Sequence, residues 1–163
     1  MRTLIVYASK RGYVQECAQK LAELIGDGSG ITKIGNEANK KNLADYQAVI
    51  MGASVHMGRV PGALHRFGVK HQAQLMEKAF GLFLCGLDSS SQDTILNSTF
   101  SPALNSHAMG RQWFGGRLIL EQYNPIIRKM LGKIMGNGQD VYAERPEAIA
   151  ALAQLFSGPA TIG

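Results

Sequence analysis

The amino-acid sequence predicts an α/β fold: a doubly wound, five-stranded parallel sheet in three α/β/α layers, with a helical insertion after the last long strand. Two observations predict the sheet. Apolar runs of strand length alternate with segments of helical periodicity, the order that builds parallel strands joined by helical crossovers. The strongest runs, Thr3–Tyr7, Ala48–Ala53 and Ala79–Cys85, are almost unbroken by polar residues, as strands covered on both faces require. A third observation predicts the insertion: the amphipathic segment Tyr123–Met135 falls outside the alternation.

The elements follow in order. Thr3–Tyr7 is the first strand. Val14, Cys17, Ala18, Leu21, Leu24 and Ile25 then share one helical face, and Gly26–Gly30 ends that helix. Ile31–Ile34 is a short strand, and the polar Asn36–Tyr46 a loop with a helical turn. Ala48–Ala53 is the next strong strand. Ser54–Gly62 is a loop, and Pro61 suits the first turn of a helix predicted to run to about Lys78. Ala79–Cys85 is another strand. Asp88–Gln92 leads into a weaker helix through Asn105, and Arg111–Gly115 is the final full strand, with Val141–Tyr142 predicted as a short extension of it. The closing helix starts with Pro146, buries Ile149, Leu152, Ala153 and Phe156, and stops before Gly158. Sheets wound this way place their ligand outside the carboxyl ends of the strands, near the switch point.

Composition narrows the function classes. The 163 residues suit one domain, 1–163, with the insertion at about 117–138. No apolar run approaches the roughly 20 residues that span a bilayer. The start, MRTLIVYAS, reads as a strand rather than a signal peptide. A cytoplasmic location is therefore expected, and Cys17 and Cys85, far apart in sequence, are expected to be reduced, small core residues. The net charge of +5 favours acidic partners. Nucleic acid is the weakest of these, because no zinc-ligand spacing, arginine-rich run or aromatic platform is present. His65, His71 and His107 form no ligand set, so no metal is expected.

The loop after the first strand, Ser9-Lys10-Arg11-Gly12-Tyr13-Val14, runs into a helix N-terminus. Backbone N–H groups and the helix dipole there suit a phosphate. Ser9 adds a hydroxyl, Gly12 permits a tight turn, and Lys10 and Arg11 add charge. On its own the loop reads equally well as an ordinary strand-to-helix turn. Missing motifs exclude several alternatives. There is no G-x-x-x-x-G-K-[ST] and no G-x-G-x-x-G after the first strand, which removes P-loop and nicotinamide Rossmann sites. No acidic residue ends the first or third strand, and no arginine follows Cys85 closely, which removes phosphoacceptor and cysteine-phosphatase sites.

Ser9–Val14 resembles the FMN phosphate loop of flavodoxins, Ser/Thr-x-Thr-Gly-x-Thr: Ser9 and Gly12 match, while Arg11 and Val14 replace threonines. The chain is more closely similar to the flavodoxin-domain family that includes menaquinone-dependent protoporphyrinogen dehydrogenase. The similarity covers essentially the whole chain, through TLIVYASKRGYVQECA, VIMGASVHMGRVPGALHRFGVKH and the insertion GGRLILEQYNPIIRKMLGKIMG. It implies FMN as cofactor. Ser9, Lys10, Arg11, Gly12, Tyr13 and Val14 would hold its phosphate. Ser54, Val55, His56, Met57 and Gly58, with Gly86, Leu87, Asp88, Ser89 and Gln92, would flank its ring. These loops lack the aromatic residues that stack on the flavin in typical flavodoxins. Only Asp88 is acidic in them, against His56 and Arg59, so a reduced, anionic flavin is less destabilised and a quinone acceptor is favoured.

In the insertion, Asn124 suits an N-cap and Pro125 the first helical position. Tyr123, Ile126, Ile127, Met130, Leu131, Ile134 and Met135 share a face, opposite Arg128, Lys129 and Lys133, and Gly136 suits the end. About 11 residues give roughly 16 Å. The helix packs on its own domain or a second subunit, lies on a membrane surface, or forms a docking face for a hydrophobic acidic substrate. Arg59, Arg117, Arg128 and Lys129 are either carboxylate contacts or solvated cations. The resemblance implies an enzyme passing electrons from a small-molecule substrate through FMN to a membrane quinone. An electron carrier between protein partners and an FMN-free binding protein on the same fold remain as alternatives.

Overall fold

The computed structural model describes residues 1–9, 12–26, 28–135 and 138–158. In chain order the elements are β1 Thr3–Ala8, α1 Tyr13–Ile25, β2 Gly30–Lys33, α2 Asn36–Asn39, β3 Ala48–Ser54, α3 Gly62–Lys70, α4 Gln72–Met76, β4 Ala79–Cys85, α5 Gln92–Thr99, α6 Pro102–His107, β5 Gly110–Trp113, β6 Gly115–Leu118, α7 Pro125–Met135, β7 Val141–Glu144 and α8 Pro146–Phe156.

The five long strands form one parallel sheet in the order β2-β1-β3-β4-β5. The period-2 alternation of side chains divides its apolar residues between two cores. Leu4 and Val6, Val49 and Met51, Phe80 and Leu82 pack against Leu64, Phe67, Leu75, Ile95, Leu96 and Leu104, from α3 to α6. Ile5, Ile50 and Phe83 pack on the other face against α1 and α8, through Cys17, Leu21, Leu152 and Phe156. This is the predicted three-layer arrangement. Because every strand of the sheet points the same way, β1, β3, β4 and β5 release their loops at one carboxyl edge. The strand order reverses direction between β1 and β3, which makes that pair the switch point.

Three elements differ from expectation. The helix predicted to run from Pro61 to about Lys78 is two helices broken at His71, and Pro61 stands just before the first one as its N-cap. The weaker helix through Asn105 is likewise split, by Phe100 and Ser101, whose hydroxyl accepts the Leu104 N–H to start α6. Val141–Tyr142 does not extend β5. It belongs to β7, which pairs antiparallel with β6 in a separate ribbon. Gly115 at φ 75 turns the chain out of the large sheet after Phe114. The insertion is therefore a two-stranded ribbon with α7 near its tip. Gly136, its expected end, lies outside the described residues.

Candidate functional site

At the end of β1, Ser9 Oγ accepts a hydrogen bond from Gly12 N at 3.1 Å, which closes the loop. Gly12 has φ 88 and faces open space: a Cβ there would meet nothing within 4 Å. A side-chain-bearing residue would be strained by about 1–2 kcal/mol at this φ. Among the described residues no side chain caps α1, so the amides of its first turn are left there without a side-chain acceptor, the arrangement that receives an anion. Val14 points into the core, so its contribution to such a site is its backbone. Lys10 and Arg11 lie outside the described residues.

Tyr13 is committed elsewhere. Its phenol donates to Phe114 O at 2.8 Å, and the Arg117 guanidinium lies 5.2 Å from its ring centroid. Arg117 also pairs with Glu16 at 2.6 Å and Glu144 at 3.6 Å. The start of α1 is thereby fastened to the β6–β7 ribbon. Burial pushes the Tyr13 phenol far above its ordinary value of 10.0, assisted by the Cys17 thiol beside it. The Arg117 guanidinium is held charged, chiefly by its hydrogen bond to Glu16.

After β3 the chain makes a turn that the sequence did not reveal. His56 N donates to Arg59 O at 2.8 Å and Arg59 N donates back to His56 O at 3.0 Å. The two central residues, Met57 at φ 52 and Gly58 at φ 74, both have positive φ, the pattern of a type I′ turn. That conformation usually takes Asn-Gly, so Met-Gly gave no turn signal. Met57 is the one described non-glycine residue with positive φ, and its side chain is 99% exposed. His56 Nε2 lies 3.0 Å from Ser54 Oγ, which braces the turn on the strand end. A cleft of about 210 Å³ opens beside it, lined by Arg59, His65 and Ser98 among others.

The loop after β4 is packed against the first. Val55 N donates to Cys85 O at 2.8 Å. The loop is held from below by Trp113 Nε1, which donates to Gly86 O at 2.9 Å, and by Gly86 N, which donates to Gly115 O at 2.9 Å. Leu87 remains exposed. Asp88 is bound within its own turn: Ser90 Oγ and N donate to its carboxylate at 2.6 and 3.0 Å. The Ser90 hydroxyl, then its amide, hold that carboxyl below the usual value. Ser89 is exposed in the same turn. Gln92 turns away, donating through Nε2 to Arg111 O at 3.1 Å.

The structure thus brings the three predicted segments to one edge, at the switch point. It directs Ser9, Gly12, Ser54–Gly58 and Gly86–Asp88 there, and ties Tyr13 and Gln92 by their side chains to the frame. Trp113 and Phe114 were missed as supports, since a strand-end aromatic carries no signal of what it holds. Arg128 donates to Leu120 O and Tyr123 O, both at 3.2 Å, and with Arg117 is used within the fold. The chain can therefore offer an anion cradle beside an apolar, solvent-facing shelf.

A family profile described as a flavodoxin domain matches residues 4–141. No curated protein matches the chain. Among solved structures it is similar to the oxidised flavodoxin 1 of Bacillus cereus, at 16% identity and TM-score 0.55, over 96% of this chain and 95% of that one. It is similar to a Fusobacterium nucleatum flavodoxin bound to flavin mononucleotide, at 10% identity and TM-score 0.54, over 95% and 96%. It is also similar to an NADH:FMN oxidoreductase in its apo form, at 13% identity and TM-score 0.56, over 99% and 93%. At these identities the likeness is one of fold.

Proposed function

We propose that this chain, which belongs to the flavodoxin-domain family, holds one FMN at the carboxyl edge of its sheet and passes electrons from a reduced organic substrate to a quinone. The observation that carries the reading is the pair of loops at the switch point: an open, left-handed Gly12 before an α1 start that no described side chain caps, and beside it a strained turn that holds Met57 in solvent. Sheets of this strand order bind their ligand at this point, and flavodoxins with FMN are themselves an example of that rule.

The residues present fit the cofactor. The first-turn amides of α1 bind and orient the phosphate, and Lys10 and Arg11 supply charge in place of the missing threonine hydroxyls. Met57 and Leu87, both exposed, would give a flavin ring held there apolar surface that excludes water. Bound FMN supplies electron transfer between an organic donor and an organic acceptor, and the protein binds, orients and tunes it. Asp88 stays ionised, but its carboxylate stands exposed in solvent, which screens its field on the ring.

The finer reading is a reaction like that of menaquinone-dependent protoporphyrinogen dehydrogenase, with a hydrophobic, carboxylated substrate. Arg59, exposed beside the cleft, and Lys129 on α7 are the cations proposed to meet its carboxylates. The apolar face of α7 supports contact with the membrane in which a quinone dissolves. The test is anaerobic: FMN-loaded protein, protoporphyrinogen and a menaquinone analogue. Turnover dependent on both supports the reading. Flavin reduction by a protein reductase, with no turnover of the porphyrinogen, assigns the chain to the electron carriers instead.

A further inference from the structure

Glu16 is the acidic residue in the first turn of α1. Its amide donates to Gly12 O at 3.0 Å, so its side chain leaves the helix one turn beyond the anion cradle. A carboxylate there suits the helix dipole but opposes an anion seated on the same first turn. Arg117 of β6, 101 positions away in sequence, donates through Nη2 to Glu16 Oε1 at 2.6 Å. Its Nη1 stands 3.6 Å from Glu144 Oε1. In the register of the ribbon, Arg117 pairs with Tyr142 and Glu144 with Gly115, so Arg117 and Glu144 share one face. The same guanidinium lies 5.2 Å from the ring centroid of Tyr13, the first residue of α1. The Arg117 side chain is 23% exposed, against 57% for Glu16. The cation is the sheltered partner, committed to two carboxylates and one ring rather than to solvent.

We propose that Arg117 is a positioning residue for the FMN phosphate: it neutralises Glu16 beside the cradle and so lets the first turn of α1 take up a dianion. The assignment rests on the FMN reading above. The charges give the reason. Glu16, Glu144 and Arg117 together carry one negative charge. Without Arg117 they carry two, beside a phosphate monoester that itself carries close to two. One helical turn, about 5.4 Å, separates Gly12 from Glu16. That is inside the Debye length of about 8 Å at physiological salt, so the repulsion is softened but not removed. The contact with Tyr13 adds a second effect, holding the first residue of α1, and with it the first-turn amides, in place. Riboflavin has the ring of FMN but no phosphate, so its binding is indifferent to the charge on Glu16.

The test is titration of the purified full chain, stripped of flavin, with FMN and with riboflavin, followed by flavin fluorescence at low and high salt. The unsubstituted chain is expected to prefer FMN. Arg117→Gln should weaken FMN binding about tenfold and leave riboflavin within about twofold, with the FMN deficit shrinking at high salt. Adding Glu16→Gln to Arg117→Gln should recover most of the loss, because it removes the charge that Arg117 answers. Glu16→Gln alone leaves Arg117 on Glu144 and should tighten FMN about threefold with riboflavin unchanged. That single variant decides the matter if Arg117→Gln fails to fold. The proposal is overturned if Arg117→Gln weakens both flavins equally, the mark of a purely structural anchor, or weakens neither. It is equally overturned if Glu16→Gln leaves FMN binding as it was, or if the unsubstituted chain binds riboflavin as tightly as FMN. These results, in a chain that binds FMN, remove the role of Arg117 and spare the cofactor. A chain that binds neither flavin removes both.

Discussion

Met57 has the least favourable backbone position among the described residues of the site. A long side chain at φ 52 costs about 1–3 kcal/mol unless something repays it, and nothing among the described residues covers this one. Asparagine tolerates the conformation and keeps the turn. Met57→Asn should therefore raise Tm by about 2–4 °C, corresponding to about 1 kcal/mol, and weaken FMN binding at the same time. Thermal melts and flavin fluorescence titration measure the two effects, and a variant that loses stability shows the strain account to be wrong. Tyr13 gives a pH-dependent counterpart. Its folded-state pKa lies above the ordinary 10.0 because of burial. The folded chain thus keeps a proton that the unfolded chain releases. The contribution is complete below about pH 10 and is lost as pH rises beyond it. Tyr13→Phe should lose about 1 kcal/mol at neutral pH, from the bond to Phe114 O, and show a shallower fall of Tm above about pH 10. The fall persists in part, since burial raises Tyr7 in the same direction.

Among the elements, α7 departs most from the behaviour of a surface helix. Asn124 Oδ1 accepts the Ile127 N–H at 2.9 Å, so the expected N-cap is in place. Its described apolar face is largely open: Ile126 is 75% and Met130 57% exposed, and no described side chain of the helix is buried. Ile126→Asp with Met130→Asp should leave thermal stability within about 0.5 kcal/mol. The same pair should abolish sedimentation with anionic vesicles at low salt. Retained vesicle binding would remove the membrane contact from the account. No described helix is long and apolar enough to cross a bilayer. The elements also show what local sequence carries. Unbroken runs such as Ala48–Ser54 and Ala79–Cys85 declared their strands because burial on both faces leaves no other composition. The ribbon did not declare itself. Val141–Glu144 is mostly exposed, and its pairing with β6 depends on residues more than twenty positions away.

For the whole molecule, the strand order places all candidate loops at one edge, and that much of the site was legible from Ser9, Gly12 and the Gly52–His71 stretch. The rest was hidden by distance in sequence. Trp113 beneath Gly86 and Phe114 receiving Tyr13 are products of the closed sheet, not of any motif. Electrostatics at this scale also departs from an acidic shuttle. The net charge is +5, and the one carboxylate in the two ring-side loops, Asp88, is exposed to screening solvent. A potentiometric titration of FMN-loaded protein should give a second couple less negative than that of an acidic flavodoxin, and a very negative value would contradict the quinone acceptor. The central claim is the cofactor itself. Protein purified, or reconstituted with free FMN and desalted, should be yellow and release FMN on denaturation, identified by mass spectrometry at about one per chain. A colourless protein that takes up no FMN on reconstitution would contradict the account.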